Sequence, residues 1–155
     1  MFNYFEKMSE KRIFFSYLHR FELTQEHLGP RVSRLLLNAI HEQAHQTSRK
    51  FREPLASVSG NIISAAAWGS IYCLLGSERM LEMEPGYRDI VDEVEWELMT
   101  SCDKEEGECS IYSQIFSILF ENGLCHPDVA VLLRACMHET SGDIQFEAGI
   151  RPFSI

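Results

Sequence analysis

Residues Asn61–Leu75 read NIISAAAWGSIYCLL, with Ile62, Ile63, Ala65, Ala66, Trp68, Ile71, Tyr72, Leu74 and Leu75 spread round every side of a helical projection. A helix that is apolar all round belongs inside a fold, with other helices packed about it. Its most apolar part, Ala65–Leu75, contains Gly69 and Ser70 and falls well short of the ~20 residues that span a bilayer. The stretch therefore predicts a central buried helix and no membrane span.

The flanking sequence supplies the surrounding helices. Ile13, Phe14, Tyr17, Leu18 and Phe21 form one stripe of a first helix starting near Ser9. Gly29-Pro30 punctuates the chain, proline being suited to a helix's first turn. Val32, Leu35, Leu36, Ala39, Ile40 and Ala44 then give a second stripe, which Pro54 ends. Beyond Pro85-Gly86, Tyr87, Ile90, Val91, Val94 and Leu98 mark another amphipathic helix. An acidic loop covers residues 101–110. Ile111, Ile115, Phe116 and Leu119 follow in a helix closed by Gly123, and Pro127 opens a last one with Val129, Leu132, Leu133 and Cys136. No strand alternation, internal repeat or low-complexity tract occurs. The reading is a single all-α domain over residues 1–155, about seven helices around one hydrophobic helix, with a tail over 141–155 that carries no anchor.

A chain of 155 residues suffices for one core and is short for two domains. The net charge of −9, with no basic run, argues against nucleic acid, whose binders cluster Lys and Arg to displace counterions. The five cysteines include no C-x-x-C pair, and the N-terminus lacks the apolar core of a secretory signal. These features lead us to expect a soluble, reduced, cytoplasmic protein without a cofactor.

Several local motifs, in order, resemble the Bcl-2 family of apoptosis regulators. Ala67-Trp68-Gly69-Ser70-Ile71 is similar to the family's Asn-Trp-Gly-Arg-Ile at the start of its central helix. Arg12–Leu18 is similar to the N-terminal homology region. Leu37-Asn38-Ala39-Ile40-His41-Glu42 stands where members carry Leu-x-x-x-Gly-Asp, and Glu121-Asn122-Gly123 resembles the second homology region, with Trp96 at a family position in the preceding helix. The likeness covers most of residues 9–138. It implies a helix break near Ala66, a central helix from Trp68, and abbreviated third and fourth helices between Phe51 and Trp68. The family's groove arginine is replaced by Ser70, with Arg49 or Arg52 as possible stand-ins.

What the resemblance implies for function is helix-in-groove recognition. The BH-3 helix of a pro-apoptotic partner would lie in a groove formed by Leu37, Ile40, Ala44, Ser48, Arg49, Phe51, Arg52, Leu55, Ile62, Ile63, Ala66, Trp68, Gly69, Ser70, Tyr72 and Cys73. Gly69 would let that helix's backbone approach closely. The compact, anchorless chain is similar to virus-encoded pro-survival members, which implies sequestration of death-promoting partners in the host cytosol and at the mitochondrial surface through them. An apolar groove could also pair with itself, giving a homodimer.

A rival reading starts from His41-Glu42-Gln43-Ala44-His45, a literal H-E-x-x-H. Residues four apart share a helix face, so both imidazoles could bind zinc while Glu42 acts as general base of a metallopeptidase. The third ligand has no motif of its own; Glu53, Glu78, Glu82 and Glu84 are the candidates. Otherwise both histidines are polar residues on a partly solvated face.

Overall fold

The computed structural model describes residues 2–100 and 110–136, so most of the acidic loop and the whole tail 141–155 lie outside the described residues. The described chain is all-α. Its helices are α1 (Phe2–His19), α2 (Gln25–Phe51), α3 (Leu55–Met83), α4 (Arg88–Thr100), α5 (Ile111–Glu121) and α6 (127–136), with a 3-10 turn at Pro85–Tyr87 before α4. The long apolar helix α3 is central, in contact with α1, α2, α4 and α5.

Helix α1 begins at Phe2 rather than near Ser9, because neither Gly nor Pro interrupts the first residues; Ser9 is an exposed position inside it. Phe14 and Leu18 from its inner face, with Phe21 beyond its end, are sealed in the core. Helix α2 starts at Thr24, whose backbone N–H donates to His27 Nδ1 at 3.0 Å, a capping-box contact with histidine in place of glutamate. Gly29 takes φ 80°, ψ 162° and Pro30 resumes the helix, so the Gly-Pro pair marks a joint as the sequence predicts. At the other end Arg52 adopts φ 53°, and Ser48 Oγ donates to the Glu53 carbonyl at 2.6 Å.

No break occurs near Ala66. Helix α3 runs from Leu55 through Trp68 without interruption, replacing the expected pair of short helices. Ala65, Ala66 and Ala67 are the strongest of helix formers, and no proline intervenes. Its actual joint lies at Gly76, with φ 81° and ψ 162°. By length and composition this helix could cross a membrane, which corrects the shorter apolar reading, but most of its apolar window is buried within the fold.

The joint at Gly76 organises the far end of the bundle. With the helix interrupted, the Cys73 carbonyl accepts from the His126 N–H at 2.7 Å. His126 Nδ1 accepts in turn from the Asp128 N–H at 3.2 Å, capping α6 just ahead of Pro127. Helix α5 ends as its sequence predicts: Gly123 takes φ 69°, its N–H donates to the Phe120 carbonyl and that of Leu124 to Leu119, a Schellman closure. Helix α4 buries Val91, Val94 and Leu98, while Trp96 and Met99 face solvent.

Candidate functional site

Most of the residues that the sequence reading assigned to a groove meet the chain's own helices. Ile40, Ala44, Ile63, Ala66, Trp68, Gly69, Ser70, Tyr72 and Cys73 are buried. Trp68 sits among Tyr17, Phe21 and Tyr87, with ring centroids 5.6, 5.9 and 5.1 Å away and steeply inclined planes. A methyl group at Gly69 would stand 3.3 Å from Tyr112 Cδ1, so the missing side chain admits α5. Ser70 Oγ donates to the Ala66 carbonyl of its own helix at 2.8 Å. The Tyr72 hydroxyl donates to Glu95 at 3.2 Å; burial first, and then the nearby Glu95 carboxylate, push its ionisation well above the usual tyrosine range.

The remaining members lie nearer the surface. Leu37, Ser48, Leu55 and Ile62 are half-buried, and Arg49, Arg52 and Phe51 are exposed. Phe51 is 60% exposed, with Lys50 Nζ 5.4 Å from its ring centroid. An aromatic ring among Arg49, Lys50 and Arg52 thus projects at the corner between α2 and α3. Leu55, four residues on, lines a 370 Å³ cleft with Ile13, Ala56, Ser59 and Ile63, bordered by Glu6 and Glu10. Of the expected groove residues, Leu55 and Ile63 line this recess, opposite α1.

The H-E-x-x-H segment is less solvated than the sequence suggests. His41 is 7% exposed, and its Nδ1 lies 3.0 and 3.2 Å from the two oxygens of Glu10, itself 5% exposed. The rings of His41 and His45 meet edge to face with centroids 4.4 Å apart. His45 Nε2 is 3.4 Å from a Glu6 carboxylate oxygen. Glu42 stays in solvent. Glu53, Glu78, Glu82 and Glu84, the third-ligand candidates, are likewise exposed, and the carboxylates beside the imidazoles come from α1. The overlooked signal was the i, i+4 spacing of Glu6 and Glu10, which repeats the spacing of His41 and His45 on the facing helix.

Cys73 is fully buried and Cys125 half-buried, both as free thiols; burial pushes the Cys73 thiol well up. Cys136 is disulfide-bonded, which corrects the expectation of an entirely reduced set; an odd cysteine count does not prevent one pair from forming.

No family model, characterised protein or solved structure matches this chain.

Proposed function

We propose that this protein is a compact regulator of the Bcl-2 type that sequesters the BH-3 helix of a pro-apoptotic partner and so restrains cell death. Amphipathic helices round one buried apolar helix, and the Ala67-Trp68-Gly69-Ser70-Ile71 segment on that helix, support the type. The observation that carries the binding role is Phe51, an exposed aromatic flanked by Arg49, Lys50 and Arg52 and followed by the Leu55 cleft.

The proposed contact surface lies at the α2–α3 corner, since the seam around Ile40, Ala66 and Trp68 is filled by the chain's own side chains. An amphipathic helix offers apolar anchors at i, i+3 and i+4, and acidic residues on its rim. Its anchors suit Phe51, Leu55 and Ile13; its carboxylates suit Arg49 and Arg52, which take the place of the family's groove arginine. Arginine pairs with carboxylates in bidentate fashion, giving register as well as attraction.

Titration calorimetry with BH-3 peptides tests the proposal. Binding in the micromolar range or tighter is expected. Phe51→Asp should weaken it about 30-fold, the loss of a ~2 kcal/mol hot spot. Phe51 is exposed, so the melting temperature should hardly move. Unchanged affinity in this variant would remove the corner as the contact surface, and no binding by any peptide would remove the function.

A further inference from the structure

Two pairs of ligand-type residues face each other across the α1–α2 interface. Glu6 and Glu10 lie one turn apart on α1; His41 and His45 lie one turn apart on α2. Donor atoms of Glu6, His41 and His45 all fall within 4.8 Å of one another. We infer that Glu6, His41 and His45 form a binding site for a divalent transition metal of the zinc class, which clamps α1 to α2.

Three features of the cluster carry this beyond composition. His45 Nε2 is shielded from solvent and makes no hydrogen bond among the described residues, although Glu6 stands 3.4 Å away. A buried imidazole nitrogen left in that condition is costly in a plain ion pair. Second, a tetrahedral zinc with bonds of ~2.0–2.1 Å sets its ligands about 3.3 Å apart, which the His45–Glu6 separation matches. Third, the His41 ring is held in place by Glu10, whose carboxylate oxygens lie 3.0 and 3.2 Å from Nδ1. A carboxylate behind a histidine orients metal-binding imidazoles in this way, so Glu10 is a positioning residue. Imidazole and carboxylate donors suit zinc and its neighbours better than magnesium or calcium.

The site differs from a peptidase centre. Glu42, the base in that chemistry, is exposed and stands outside the cluster, whereas the third donor comes from a helix upstream of the histidines. The ion would hold two of the chain's own helices together, and its ligand Glu6 borders the cleft of the peptide-binding proposal; zinc uptake is read without any peptide, so the two fail separately.

The test uses the full chain, stripped with chelator and titrated with zinc chloride by calorimetry. Uptake of one equivalent is expected, with a melting temperature that rises on loading. Glu6→Gln and His45→Gln alter half-exposed side chains and should each weaken binding at least tenfold without loss of helix content. Glu10→Gln should weaken it by roughly 10–100-fold, the usual cost of removing a histidine's orienting partner. With cobalt as probe, the visible spectrum should show ligand-field bands free of thiolate charge transfer. Absence of uptake would leave two histidine–carboxylate contacts and overturn the site. Undiminished uptake in the Glu6→Gln/His45→Gln double variant, or a thiolate band, would also overturn it by locating the metal elsewhere.

Discussion

Gly29 and Gly76 offer a matched pair of substitutions. Their backbones are nearly identical, at φ 80°, ψ 162° and φ 81°, ψ 162°, a region that essentially only glycine populates. Alanine at either position should therefore incur a strain of ~1–3 kcal/mol. It also restricts the unfolded chain, returning ~0.4–1 kcal/mol in both cases. The surroundings differ. A Cβ at Gly29 meets nothing within 4 Å, whereas at Gly76 it stands 3.3 Å from His126 Nδ1 and 3.4 Å from Cγ. His126 cannot yield freely, since its backbone N–H holds the Cys73 carbonyl and its ring caps α6. Crowding at the lower end of the overpacking range adds ~1 kcal/mol. Gly76→Ala should accordingly be the less stable by ~1 kcal/mol, or about 2–4 °C in melting temperature for a chain of this size. Thermal and urea unfolding followed by circular dichroism would measure both variants. Equal stability, or a more stable Gly76→Ala, would refute the seating of His126 against the joint.

Tyr112 gives a pH prediction. Burial first, then the carboxylates of Glu93 and Glu97, push its ionisation up to about 12. Between the ordinary tyrosine value of about 10 and that point the unfolded chain has lost a proton that the folded chain keeps, so stability falls as pH rises through this window. Urea midpoints measured from pH 9 to 12 should decline in wild type and decline less in Tyr112→Phe; parallel curves would contradict the assignment. Thiol labelling of the native protein should modify Cys125 well before Cys73, because only the thiolate reacts and Cys73 is fully buried with its ionisation pushed up. Mass spectrometry reads the order, and Cys73 labelled first would show that the α3–α6 contact opens readily.

The central helix was legible because all-round apolarity has one physical meaning in a chain of this size. Helix ends at Gly29-Pro30 and Gly123 were legible for a similar reason: the residue and the backbone requirement coincide. Gly76 was missed because a glycine inside a helical pattern differs little from a tolerated one until its partner is known, and that partner, His126, is 50 positions away. The break that the family likeness implies near Ala66 does not form, because the alanines there favour continuation. That the chain's own helices, and no groove, cover Ile40, Ala66 and Ser70 was out of reach, since periodicity shows which face is apolar and leaves open which element covers it. The Glu6–His45 approach joins two helices in three dimensions, a relation that local spacing alone does not specify.

Chemical-shift mapping bears most directly on the proposed role. With isotope-labelled protein and an excess of unlabelled BH-3 peptide, the largest shifts should fall on Ile13, Arg49, Phe51, Arg52 and Leu55, at the α2–α3 corner and the cleft beside it. Shifts confined to another face would contradict the proposed contact surface, and an unchanged spectrum would contradict helix capture itself.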